Sequence, residues 1–432
     1  MSSSFNALAQ INVTGMFQNY NAVVLTDNKE LIAARNRFRV QLNHSTDFGR
    51  LYAEMDLIHR YDDNPGIEIL PRELYVDWYR GNYDIRIGQQ TITWGRADGG
   101  FVADILSPVD FRDFLAQDPA DLKLGITALS VERYFGSDSF QIVFNPIFQP
   151  FLLPDEDSRW FPVQEVETPL AIQFNDYDRD WSIKNSQFAL QYRFRSATNL
   201  DLDIMLMRWH HPVPAYAIEF QPIDFVNGPG FIFTETYQPS LMAGFSGTYQ
   251  IHSNLLITAE TLFVKDKLFT SLPVPTGLID DAFENLPAFL ELLQNIQFNG
   301  NGFLTEKPWL NTMVGLQAEF RGTTFSFQSY LETIINYDDQ IVSQRTYPYL
   351  TFLAARSFLR ERLQLLSLSR YNVDADDYWL QFYGNYEIAD GFEFALGFNV
   401  FGGKAPPPYY GHLSFSRFSE NSFIFSRVAF YF

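Results

Sequence analysis

The chain has 432 residues, no cysteine, and 51 Asp and Glu against 31 Lys and Arg, for a net charge of −20. The missing thiols exclude a disulfide framework, thiolate metal sites and haem attachment, and the acidic surplus argues against nucleic acid as a partner, because the phosphate backbone rewards Lys and Arg. The chain has no run of about 18 uncharged apolar residues, so no transmembrane helix is expected. With 43 Phe and 23 Tyr it reads as an all-β chain of many strands.

Segments of roughly ten residues, the length a tilted strand needs to cross a bilayer, alternate with a period of two along the whole chain. The first, around Ala9–Gln18, carries Ile11, Val13, Gly15 and Phe17 on one side. In 32–42, Phe38, Val40 and Leu42 oppose Arg35, Arg37 and Arg39; in 50–58, Leu51, Met55 and Leu57 oppose Arg50, Glu54 and Asp56. In 72–86, Leu74, Val76 and Trp78 oppose Glu73 and Asp77, with Asp84 and Arg86 facing inward from the next strand. Further on, Phe188 and Leu190 oppose Arg193 and Arg195, Ile204 and Leu206 oppose Asp201 and Asp203, and Glu260 faces inward from a later strand. In 309–333 the apolar rows Val314, Leu316, Phe320 and Phe325, Phe327, Leu331 oppose Glu319, Arg321 and Glu332. Near the end Phe394 and Leu396 oppose Glu393, and Ile424, Val428, Phe430 and Phe432 oppose Arg427. One face of each strand suits lipid; the charged face reads as channel lining. These charges act either as rings that set selectivity or as ladders in which neighbouring strands neutralise one another.

Short turns near 45–49, 81–82, 136–138, 196–199, 252–254, 322–323, 357–361 and 389–391 alternate with longer connections. Eight turns and nine loops join eighteen strands, which predicts a transmembrane antiparallel β-barrel with both termini on the short-turn side. The last strand then pairs with the first and leaves no open edge. Two long loops are candidates for a constriction or plug. One is 92–125, with Arg96, Asp98, Asp104, Asp110, Arg112 and Asp113; the other is 265–307, where 278–296 has apolar residues at helical spacing. Loops 92–125 and 146–184 carry formal charges of −3 and −5, an acidic mouth that attracts cations and repels polyanions. Asp176, Asp178 and Asp180 alternate as calcium ligands do, without the glycine and terminal glutamate of an EF-hand, so a solvated acidic loop competes with a metal site.

The stretch 72–125 contains "RELYVDWY", "RIGQQ", "WGRADG" and "SPVDFRDF". It resembles a porin-like family of Gram-negative outer-membrane barrels without an assigned substrate, near the alginate-export type. The terminal Phe after alternating apolar residues resembles the signal read by the barrel-assembly machinery. The resemblance implies a barrel in the bacterial outer membrane, embedded in its lipid and lipopolysaccharide. It would act as a channel for small polar solutes or as the outer-membrane step of an exporter with periplasmic components. Alternatives are a transporter of hydrophobic compounds and a sheath around a partner protein. The opening MSSSFNALAQ lacks the charged and apolar regions of a signal peptide, so it is read as a mature start. His210 and His211 lie near an outer strand end with no nucleophile motif. No enzymatic activity and no cofactor are expected.

Overall fold

A computed structural model describes residues 11–26, 30–62, 65–113, 119–155, 157–161, 171–177, 183–195, 199–224, 228–272, 302–404 and 414–432. Eighteen antiparallel strands form one sheet that closes on itself. The first strand, Ile11–Val24, pairs on one side with Leu31–Thr46 and on the other with the last, Phe423–Tyr431. Beyond that pairing, Gly15 and Phe432 exchange backbone N–H···O bonds of 2.9 and 3.0 Å. A side chain on Gly15 would meet the Phe432 ring at 2.5 Å. The ring fills that space instead and stacks on Phe38, with centroids 6.0 Å apart.

Alternation decides which face meets which solvent. On Leu31–Thr46, Phe38 and Leu42 are 40% and 43% exposed, whereas Arg35 and Arg37 are 6% and 9% exposed. Charge in hydrocarbon is costly, so the apolar rows form the membrane-facing belt and the charged rows face the lumen. All eight short connections fall between paired strands as expected. Gly81 and Gly322 hold φ of 61° and 74° in two of them, a left-handed conformation that glycine adopts without a Cβ clash.

The structure corrects the assignment of loops 265–307 and 146–184, and finds strands in the connection 210–237 as well. Strands Leu255–Thr270 and Leu304–Phe320 run into the segment expected as loop 265–307 and pair there from Lys267↔Lys307 to Thr270↔Leu304. The helical segment 278–296 lies outside the described residues. The connections 146–184 and 210–237 hold three further strands, Ala171–Asn175, Ala215–Asp224 and Gly228–Thr236. The last of these pairs antiparallel with Ala215–Asp224 and parallel with Ala171–Asn175. Short strands broken by Pro222 and by the Gly228-Pro229-Gly230 run carry turn chemistry that masks their pairing. Their aromatic residues hold them together: Phe174 stacks on Phe233 at 5.2 Å.

Candidate functional site

After the strand Tyr83–Gln90 the chain turns into the lumen, where the Glu73 carboxylate accepts the Thr91 N–H at 2.6 Å. Ile92, Trp94, Val102, Ala103, Ile105 and Leu106 join a buried cluster with the wall residues Met205, Met207, Met242, Leu262 and Met313. Methionine is unbranched and polarizable and fills irregular gaps, so this part of the wall can seat a loop that has no repeating geometry. Burial of these side chains, worth roughly 1.5–3 kcal/mol for each large one, drives the loop inward.

Polar clamps fix its position. The Glu260 carboxylate accepts the backbone N–H of Arg96, that of Ala103 at 3.4 Å, and the Ser246 hydroxyl at 3.2 Å. Gly95, with φ of 120°, passes so close that a Cβ would lie 3.0 Å from that carboxylate. The Arg96 guanidinium pairs with Asp203 at 2.9 Å. Asp98 donates its N–H to Gln328 at 2.9 Å and accepts from Ser326 at 2.9 Å and Gln328 at 3.2 Å. Asp104 pairs with Lys123, which also donates to Thr93 at 2.9 Å, so the two limbs of the loop are fastened to each other.

The far limb of the loop meets an arginine row on the wall and forms two ion clusters. In one, Arg37, Arg39 and Arg72 face Glu54, Asp56 and Asp121: Arg39 lies 2.7 Å from Asp56 and 2.9 Å from Asp121, Arg37 lies 3.2 Å from Asp121, and Arg72 lies 3.1 Å from Glu54. In the other, Arg35, Arg60 and Arg112 face Glu68, Asp110 and Asp113: Asp113 bridges Arg35 at 3.1 Å and Arg60 at 3.6 Å, and Arg112 bridges Asp110 at 2.6 Å and Glu68 at 3.0 Å. Among the described residues each cluster holds three guanidinium groups and three carboxylates. Burial opposes ionisation of Asp121, yet Arg39, Arg37 and Arg72 outweigh it and hold that carboxyl below the usual carboxylate range.

The other inward charges form shorter ladders. Asp77 pairs with Arg86 at 2.6 Å across their hairpin, and Arg86 lies over the Tyr75 ring. Arg193 pairs with Glu132 at 3.0 Å, and Arg195 with Asp203 at 2.6 Å and Asp201 at 3.9 Å. Arg427 pairs with Glu393 at 3.8 Å, Arg50 donates to Asn43 at 2.9 Å, and Asp84 accepts from Tyr134 at 3.0 Å. Glu332 lies within electrostatic reach of Lys267 and Arg370. Glu319 is exposed at the short-turn rim. Arg321 departs from the expected lining: it occupies the turn itself at φ 51°, and its guanidinium sits over the outward ring of Phe320. The acids of loop 92–125 also depart from the expected mouth, since Asp104, Asp110, Asp113 and Asp121 are paired to cations within the loop and lumen. Of the proposed calcium ligands, Asp178 and Asp180 lie outside the described residues, and no group of three or more possible ligands occurs among the described ones.

Alternation missed Arg72, because the register shifts between Glu54 and Met55, a bulge that turns both Arg72 and Glu73 inward. Pro71, which cannot donate to a ladder, was the available signal. Arg60 and Glu68 were missed because the notional strands were cut short of Arg60 and of Gly66.

The sequence matches no protein-family model, and no curated protein is significantly similar to it. In fold it is similar to the outer membrane protein OpdK from Pseudomonas aeruginosa, with TM-score 0.55 and 8% identity over 98% of this chain and 99% of that one. OccAB3 from Acinetobacter baumannii gives 0.55 and 8% over 98% and 100%, and OccAB2 from the same organism gives 0.54 and 9% over 100% and 99%. At this identity the likenesses are of fold, an outer-membrane barrel, and the finer resemblance to alginate exporters gains no support from them.

Proposed function

We propose that this barrel is a channel of the bacterial outer membrane for small polar solutes, with the infolded 92–125 loop as its constriction. The observation that carries this reading is the docking of that loop across the lumen of a closed ring, between an apolar bed and a charged wall. An apolar exterior suits outer-membrane lipid, a charged interior suits water, and a loop held at both limbs narrows the bore without sealing it by a covalent or metal link. Assembly would use the last strand and its terminal Phe432, and the inward residues named above would line the path. The infolded loop occupies space that a sheath would need for a partner protein, which disfavours that alternative.

The test is single-channel recording of the purified barrel in planar bilayers. Discrete, reproducible conductance steps support the channel; silence both in the intact protein and after deletion of residues 96–106 overturns it.

A further inference from the structure

Among the described residues, the two ion clusters are balanced only because the loop contributes to them. In the first, the wall supplies Arg37, Arg39 and Arg72 against Glu54 and Asp56, and Asp121 of the loop provides the third carboxylate. In the second, the wall supplies Arg35 and Arg60 against Glu68; the loop adds Asp113 together with Arg112 and its own partner Asp110. Without the loop each wall cluster has one guanidinium in surplus, Arg37, Arg39 and Arg72 against Glu54 and Asp56, and Arg35 and Arg60 against Glu68. Among the described residues the Nε atoms of Arg35 and Arg37 make no hydrogen bond even with the loop docked, although Arg37 Nε lies 3.7 Å from Asp56. Asp121 keeps a quarter of its side chain exposed, so the cluster is reachable from the lumen.

We propose that Asp113 and Asp121 determine the charge selectivity of this pore, acting as tethered counter-anions that cancel an arginine row. The row would otherwise draw anions through the lumen. The proposal rests on the channel reading and deepens it by naming the solute class: neutral polar molecules, with free anions disfavoured because the chain's own carboxylates already hold the places they would take.

The experiment is reversal potential under a KCl gradient for the intact barrel, D113N, D121N and the double variant. One unit charge about 8 Å from an ion in water favours chloride roughly twofold and disfavours potassium roughly twofold. The chloride-to-potassium permeability ratio should therefore rise about fourfold for each carboxylate removed. R37Q combined with D121N restores the balance of the first cluster and should return the ratio to that of the intact barrel, a rescue that a merely structural role for Asp121 does not give. Conductance with an unchanged ratio in all variants overturns the proposal and leaves the channel reading standing. If the intact pore is silent, sulfate binding to the detergent-solubilised barrels decides it: uptake by the double variant but not by the intact protein supports the proposal, and equal binding overturns it. Resistance to unfolding in cold SDS, compared across the variants, identifies any that failed to fold, and the single variants then carry the test.

Discussion

Replacing Glu260 by Ala removes the acceptor for two loop N–H groups, those of Arg96 and Ala103, and for the Ser246 hydroxyl. Glu260 is 2% exposed, so water does not freely replace it. An unsatisfied buried donor costs about 1–3 kcal/mol, and the two amides together take roughly 2–6 kcal/mol from docking of the 94–104 segment. At ~1.4 kcal/mol per tenfold, the docked-to-undocked ratio falls by a factor of about 30 or more. The remaining tethers, Arg96–Asp203 and Asp98 on Ser326 and Gln328, hold the loop more loosely. Single-channel recording should show larger and noisier openings, and limited trypsin treatment should cut after Arg96 in the variant and leave that bond uncut in the intact protein. Glu260→Gln keeps one acceptor and should fall between the two. If Glu260→Ala leaves both conductance noise and tryptic resistance unchanged, the carboxylate clamp is not what positions the loop.

Arg72→Met removes a partner of Glu54 and a donor to the Asp121 and Lys123 carbonyls, and breaking a buried pair in this way costs about 3–5 kcal/mol; the temperature at which the barrel loses its compact mobility on SDS gels should fall, and an unchanged value refutes a structural share for this arginine. Gly15→Val places a Cβ 2.6 Å from the Arg39 carbonyl and against the Phe432 ring, and overpacking of about 1–3 kcal/mol should lower the same midpoint. The Asp121 carboxyl is held below the ordinary Asp value of 3.8 by Arg39, Arg37 and Arg72, with Glu54 and Asp56 as the other charges in the cluster. Its ion pairing is therefore complete above that ordinary value and is lost as pH falls through the lower, folded one. The difference in ion selectivity between the intact barrel and D121N should therefore stay flat from neutral pH down to about pH 4 and vanish only below it; loss of that difference centred near pH 6 would contradict this assignment.

The ring itself was legible because period-two alternation is a local property of each strand. Phe38 and Arg37 declare their faces within a few residues, and a tight hairpin makes partners such as Asp77 and Arg86 predictable. Arg39 and Asp56 likewise stand opposite each other across a single turn. Seating of the loop was not legible, because Asp98 and Gln328 are distant in sequence and nothing in either stretch names the other. Asp121 looked like one more acid at an open mouth, and only the three-dimensional approach of Arg37 and Arg39 shows it to be a lumenal counter-ion. The parallel pairing of Ala171–Asn175 with Gly228–Thr236 joins two separate connections, a contact that no hairpin signal announces.

The contacts that clamp the loop span 164 residues to Glu260 and 230 to Gln328, whereas each wall strand except the closing pair joins a neighbour in sequence. Loop closure over such distances follows local pairing. During insertion the hairpins can therefore zip one after another while the loop still lacks its anchorage, and the anchorage exists only once the strands Leu255–Thr270 and Thr323–Ile334 have been laid down. The two limbs of the loop thus differ in when their partners exist: Arg35 and Arg37 meet Asp113 and Asp121 across only 78 and 84 residues, whereas the apolar limb waits for strands made much later.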